Sequence, residues 1–278
     1  MERMQSILEL KDSRCRSPQI EQVKLLRKRI QSEVTEYKKQ AEKDYRKREA
    51  MKDLSNRLIL GIDDAGRGAV IGPLVIAGVL LDEKDLHKLV NLGVRDSKLL
   101  SPRRREQLAE EIKKLALQCH VILLSPEEID RVVESGRKLH KLNRLEAQTM
   151  AKVIAILKPD VAYVDASDVL ADRFKHHIVE SLPLKAQIIS EHKADAKYPI
   201  VSAASIIAKV ERDKAISKLR ERHGDLGSGY AADPKTIQLL EDWIKRFGSY
   251  PDFVRESWEP AKRLKAKAKA KQTSLENI

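Results

Sequence analysis

Apolar residues at Ile20, Val23, Leu26, Ile30, Val34, Tyr37, Ala41 and Tyr45 recur at steps of three and four among charged positions, which predicts a long amphipathic helix over residues 20–45. Its stripe suits packing on the rest of the chain, a coiled coil, or a helix that turns a basic face to nucleic acid, with packing the default. The pattern changes at Leu58-Ile-Leu-Gly-Ile62, a short branched run that reads as a buried strand, and a second apolar stretch runs from Val70 to Leu81. Ser101-Pro102 supplies an N-cap and a first-turn proline for a helix with Leu108, Ile112 and Leu115 on one face. His120 to Leu124 reads as a strand, and Ser125-Pro-Glu-Glu128 has capping-box spacing. A helix is predicted from Asn143 to Leu157, with Leu145, Met150, Val153 and Leu157 at helical spacing before Pro159 stops it. Strands follow at Val161 to Val164 and Ala186 to Ser190. Small residues (Ser202, Ala203, Ala204, Ser205, Ala208) mark a closely packed helix from Pro199 to Arg220, and Asp233-Pro234 opens another that Gly248 closes. Strands alternating with helices predict an α/β domain with a mixed or parallel sheet. From Ala261 the chain repeats Lys-Ala without a core-forming pattern, so a disordered or fraying basic tail is expected over residues 261–278.

Composition narrows the class. Of 278 residues, 42% are hydrophobic, enough for a core without staples. Cys15 and Cys119, with no CxxC and no zinc-spaced His pair, argue against a disulfide scaffold or a thiolate zinc site and suit a reducing, cytoplasmic compartment. No run of eighteen apolar residues exists and the N-terminus lacks the apolar core of a signal peptide, so no membrane association is expected. The net charge of +12 is uneven: residues 1–57 carry +6, residues 261–278 carry +5, and the body between them only +1. Two basic arms around a neutral body suit a polyanionic partner, although solubility alone would also account for them.

Candidate chemistry sits at the strand ends. Asp63 and Asp165 each follow an apolar strand, and in open α/β sheets ligands bind beyond such ends. Asp64 adjoins the first, and Asp195 precedes a helix. Four carboxylates converging there would repel one another and raise their pKa values unless a divalent cation neutralised them; hard oxygen donors favour Mg²⁺ or Mn²⁺ over zinc. Taken singly, each Asp also fits a turn or a helix cap. Five of the chain's eleven glycines fall between Gly61 and Gly78. Among them lies Arg67, whose guanidinium suits bidentate phosphate contact, and with it the joint metal-and-phosphate reading prevails.

Six ordered blocks then resemble one family: Gly61-Ile-Asp-Asp-Ala-Gly-Arg-Gly68 with Ile71-Gly-Pro-Leu74; Asp96-Ser-Lys98; Val164-Asp-Ala-Ser-Asp168; His192-Lys-Ala-Asp-Ala-Lys-Tyr-Pro199; Ser202-Ala-Ala-Ser-Ile-Ile-Ala-Lys209 with Arg212-Asp213; and Gly227-Ser-Gly-Tyr230. Together they resemble ribonuclease HII in its archaeal form, a type 2 ribonuclease H, over residues 58 to about 258. The resemblance implies an α/β ribonuclease H-like fold: a mixed central sheet flanked by helices, with a C-terminal helical region. Around it, residues 1–57 would form a basic helical extension, 58–260 the catalytic domain and 261–278 a flexible tail. The implied activity is endonucleolytic cleavage of RNA in RNA–DNA hybrids and of single ribonucleotides embedded in duplex DNA, serving ribonucleotide removal and RNA primer removal. Two ions about 4 Å apart would activate water and stabilise the leaving 3′-oxygen, giving in-line attack with 5′-phosphate and 3′-hydroxyl ends.

Residue by residue, the resemblance makes Asp63, Asp64, Asp165 and Asp195 the acidic tetrad that holds Mn²⁺ or Mg²⁺. Gly66, Arg67 and Gly68 would contact the ribonucleotide and its scissile phosphate, reading the 2′-hydroxyl by close backbone approach. Tyr230 would stack on the deoxyribose at the RNA-to-DNA junction, and Lys98 would contact phosphate. Two departures stand out. Asp64 replaces the family's usual Glu and is one methylene shorter, which shifts activity or metal preference; Ala69 replaces a proline and loosens the turn slightly. Neither loses a charge, so catalysis is expected to survive. Gln272-Thr-Ser-Leu-Glu-Asn-Ile278 is similar to a sliding-clamp-binding peptide but lacks its two aromatic anchors. The expected state is a monomer. Two other readings remain at this stage: a junction-resolving nuclease of the same fold, and a structural nucleic-acid-binding protein that uses the basic arms.

Overall fold

The computed structural model describes residues 57–94, 100–135, 141–183 and 185–276. The helix expected over residues 20–45, Lys98, and the last two residues of the clamp-like peptide lie outside the described residues; described side chains end at residue 270. Five strands form one sheet in the order β3-β2-β1-β4-β5. They are β1 (Leu58–Ala65), β2 (Leu74–Asp82), β3 (Gln118–Leu124), β4 (Val161–Asp165) and β5 (Gln187–Glu191). The first three pair antiparallel, and β1, β4 and β5 run parallel, so the sheet is mixed as the sequence predicts.

The helices are α1 (Leu86–Leu92), α2 (Pro102–Leu115), α3 (Pro126–Glu134), α4 (Lys141–Leu157), α5 (Ala171–Ser181), α6 (Ala194–Lys197), α7 (Pro199–His223), α8 (Pro234–Phe247) and α9 (Glu259–Glu276). The predicted caps form: Ser101 accepts from Arg104 N, and Ser125 and Glu128 close a reciprocal capping box. Helix α5 went unpredicted because Leu170 stands at its N-cap with no side-chain hydrogen bond. Its Phe174, His177 and Ile178 nonetheless share one buried face.

The strand period of two divides the core. Ile59 faces α7 and α2, while Leu60 and Ile62 face α4 and α5, giving helices on both faces of the sheet. Helix α7 lies unusually close to β1: a Cβ on Gly61 would fall 2.2 Å from the Ile200 carbonyl oxygen, so only glycine fits there. Ser202, Ala203 and Ala204 on α7 are fully buried, as small residues at a tight contact should be. A third core joins Val70 and Ile71, after β1, to α8, Phe253 and α9.

The tail corrects an expectation. Residues from Ala261 belong to helix α9 (Glu259–Glu276), and Ala261 and Leu264 are buried in the third core. The physical reason is a narrow stripe, Ala261, Leu264 and Ala268 at steps of three and four, hidden inside a Lys-Ala repeat whose residues are themselves good helix formers. Among the described residues, no helix is long and apolar enough to cross a membrane.

Candidate active site

Parallel pairing of β1 with β4 assembles the site. Ile62 pairs with Val164, so Asp63 and Asp165 are the next residues on neighbouring strands and emerge side by side at the carboxyl edge. Beyond β5, a turn with Lys193 in the left-handed region leads into α6, which brings in Asp195. One carboxylate oxygen from each of Asp63, Asp165 and Asp195 lies within 4.8 Å of the others. Asp165 is held by the Ala194 amide, which donates to its Oδ1 at 3.0 Å.

Asp64 does not join that trio. Consecutive strand residues point to opposite faces, so the expected convergence of four is a group of three with Asp64 alongside. Its Oδ1 accepts from Ser167 Oγ at 3.2 Å, and the Arg67 charge acts on it. Burial, reinforced by the charges of Asp64 and Asp165, raises the pKa of Asp63 well above the ordinary carboxylate range. Burial lifts Asp64 from 3.8 to about 6, against the opposing effects of Ser167 and Arg67.

The glycine-rich loop and Tyr230 come together although 163 residues separate Arg67 from it. Ala69 and Tyr230 form an isolated antiparallel bridge, and the amides of Val70 and Ile71 donate to the Gly229 carbonyl at 2.8 and 3.1 Å. Tyr230 is 37% exposed; Arg212, only 6% exposed, sets its guanidinium 4.7 Å from the ring centroid. The fully buried Arg255 fastens the loop from below, donating to the carbonyls of Gly72 and Arg67 at 3.1 and 2.9 Å. Burial and the Arg212 charge lower the Arg255 pKa to about 10. Gly66 adopts φ +85°, whereas Gly68 lies exposed, with nothing within 4 Å of where a Cβ would sit.

Sequence reasoning missed Glu146, Asn143 and Arg255 as parts of the site, and it gave Arg212, which stands in one of the family blocks, no role. Arg67 Nε donates to both Glu146 oxygens at 2.8 and 3.1 Å, and its Nη2 to Asn143 Oδ1 at 2.7 Å. The Glu146 side chain is fully buried, and burial together with the Asp64 charge raises its pKa from 4.5 to about 8. One signal was present: Glu146 precedes Met150, Val153 and Leu157 by four, seven and eleven residues, a carboxylate in line with the apolar stripe of α4. The Ser202–Lys209 block serves packing at its start, where Ser202 Oγ donates to the Val94 carbonyl.

With this geometry established, comparison with known proteins supplies the family. The sequence profile of ribonuclease HII matches residues 60–261. The chain belongs to the ribonuclease HII family. The ribonuclease HII of Pyrococcus furiosus is 49% identical over 217 residues, covering 77% of this chain and 94% of that protein. Among solved structures, ribonuclease H2 from Pyrococcus horikoshii matches with a TM-score of 0.71 at 43% identity, over 76% of this chain and 99% of that one. Ribonuclease HII in a PCNA complex from Archaeoglobus fulgidus matches with a TM-score of 0.67 at 46% identity, over 74% and 96%. As a ribonuclease HII the protein is a hydrolase with ribonuclease H activity on RNA–DNA hybrids, and its fold is that of the ribonuclease H2 structures.

The donors fit a divalent cation. Three carboxylate oxygens converge with no sulfur or imidazole in the group, and the pKa of Asp63 is raised first by burial and then by the like charges of Asp64 and Asp165, repulsion that a cation would relieve. A stability prediction follows for the metal-free protein. Asp63, Asp64 and Glu146 all have folded-state pKa values above their unfolded ones, so the folded state holds their protons more tightly. The stabilisation is present below about pH 4 and is lost as pH rises towards 6 for Asp64 and 8 for Glu146. Asp168, whose pairing with Arg173 holds its pKa well below the usual range, acts in the opposite direction but below this window. Thermal melts in EDTA are therefore expected to show Tm falling between pH 5 and 8, and Mn²⁺ or Mg²⁺ to raise Tm more at pH 8 than at pH 5. A Tm that rises across this range without metal contradicts the reading.

Proposed function

We propose that the protein cleaves single ribonucleotides embedded in duplex DNA as well as RNA in continuous hybrids, leaving 5′-phosphate and 3′-hydroxyl ends. Its role on this reading is ribonucleotide removal and RNA primer removal during replication and repair. The observation that carries the proposal is the bridge between Ala69 and Tyr230, which seats an exposed aromatic ring beside an open glycine loop at the edge where three carboxylates converge. Asp63, Asp165 and Asp195 would hold Mg²⁺ or Mn²⁺, with Asp64 beside them; the bound ions supply water activation and charge stabilisation at the phosphate. Around them, Arg67 orients the phosphate with a charged fork, and the bare backbone at Gly68 admits the 2′-hydroxyl. The open side of the Tyr230 ring stacks on the sugar that follows.

A labelled duplex with one ribonucleotide, beside an all-DNA duplex, tests this in Mg²⁺, Mn²⁺ and EDTA. The expected result is metal-dependent cleavage 5′ to the ribonucleotide and none of the all-DNA control. Cleavage that ignores the 2′-hydroxyl would favour a resolvase-type nuclease, and binding without cleavage a structural nucleic-acid-binding protein. We also propose that Gln272 to Ile278 binds a sliding clamp, which the PCNA complex of the Archaeoglobus relative supports. Clamp pulldown lost on deleting residues 272–278 bears this out, and unchanged pulldown rejects it. Cytoplasmic location and a monomeric state complete the reading, the latter open to sedimentation analysis.

A further inference from the structure

Around Arg67 lies a set of side chains that the proposed reaction does not use. Asn143 and Glu146 stand three residues apart on α4 and therefore on one face. Between them they take the Nε donor and one N–H of Nη2 of Arg67 and leave the edge formed by Nη1 and the other Nη2 N–H. Asn143 is itself fixed, since its Nδ2 donates to Asp168 Oδ2 at 2.8 Å. Asp168 in turn accepts from Arg173 Nε at 2.9 Å and from the Leu170 amide at 3.0 Å. The carboxyl groups at the two ends of this chain of bonds, Glu146 and Asp168, belong to fully buried side chains, whereas the Arg67 side chain is 38% exposed.

A buried acid contributes little to stability that an apolar residue of similar volume would not match. What a fully buried acceptor does provide is orientation: a free arginine samples many rotamers, and one held at two donors presents a single edge. We propose that Glu146 and Asn143 are positioning residues for Arg67, holding its guanidinium so that Nη1 faces a nucleic-acid phosphate, and that Asp168 ties this arrangement to the segment following Asp165. The inference rests on the reading that Arg67 meets substrate phosphate.

A double-mutant cycle in the full-length protein separates the two. Binding of the single-ribonucleotide duplex is measured in EDTA over a salt series, and KM and kcat with Mg²⁺, for Arg67→Ala, Glu146→Leu, Glu146→Gln and the double variant Arg67→Ala/Glu146→Leu. Glu146→Leu, which removes the acceptors without leaving a large cavity, is expected to raise Kd and KM about 10-fold with kcat changed far less, and to lower the salt slope by about 1, as Arg67→Ala does. Glu146→Gln keeps an oxygen for Nε and is expected to retain most of the binding. In the Arg67→Ala background, Glu146→Leu is expected to add less than about 2-fold. An undiminished effect in that background overturns the proposal, as does wild-type binding by Glu146→Leu when Arg67→Ala binds weakly. Wild-type binding by Arg67→Ala removes the underlying reading and the proposal with it. Should Glu146→Leu fail to fold, Asn143→Ala carries the same cycle through the Nη2 contact.

Discussion

Asp63→Asn is expected to lower cleavage of a ribonucleotide-containing duplex by on the order of 1,000-fold or more while making the metal-free protein more stable at neutral pH. Both effects come from one carboxylate. Asp63 is 5% exposed, sits in the trio with Asp165 and Asp195, and its pKa is raised by burial and by the charges of Asp64 and Asp165. Replacing it removes a hard anionic ligand, and several kcal/mol of lost charge stabilisation, at ~1.4 kcal/mol per factor of ten, gives the loss in rate. The same replacement removes a charge that the folded state carries at a cost. Because its folded-state pKa is raised, Asp63 contributes stability below its ordinary 3.8 that is lost as pH rises, and Asn has no such loss. Melts in EDTA at pH 8 should place the variant above the parent, the gap closing towards pH 4. Cleavage within tenfold of the parent would remove Asp63 from the metal centre. A Tm several degrees lower at pH 8 would make it a structural residue instead.

How much of this was legible in the sequence depends on how far apart the partners lie. Asp63, Asp165 and the glycine loop announce themselves locally, because an apolar strand ending in a carboxylate and a turn is written in consecutive residues. Asp195 could be placed only near a helix start, since its approach depends on β5 pairing with β4 and on the turn at Lys193. The side on which Asp64 acts follows from strand alternation, and Arg67 stands three residues further along the chain, yet its partner Ser167 comes from a segment 103 residues away. Arg255 left no trace at all, for it bonds to backbone carbonyls 183 and 188 residues away, and carbonyls carry no sequence signature. Glu146 was readable in principle as an acid on an apolar stripe. The stripe of α9 was missed for the reverse reason, an apolar face built largely of alanine among lysines.

Two glycines in one loop should respond in opposite ways to the same methyl group. Gly66 adopts φ +85°, and a Cβ there would stand 2.9 Å from the Pro73 carbonyl oxygen and 2.3 Å from Arg212 Nε. The left-handed backbone alone costs an alanine about 1–2 kcal/mol, and the rigid Pro73 carbonyl adds to it. Gly66→Ala is therefore expected to lower Tm by several degrees and to disturb the loop through Arg212 even without substrate. Gly68 meets nothing within 4 Å and its φ lies outside the left-handed region, so Gly68→Ala should leave Tm unchanged to within about 0.5 kcal/mol of stability. Any loss it causes must come from a molecule that approaches the loop from solvent. If the backbone at Gly68 lies against the ribonucleotide, displacing the scissile phosphate by even 1 Å costs about 100-fold, and Gly68→Ala should lose that much kcat/KM at full stability. Paired melts and cleavage assays of the two variants check both halves. Full activity in a stable Gly68→Ala would mean that substrate never comes within a methyl's reach of this backbone, and the 2′-hydroxyl would then have to be read elsewhere.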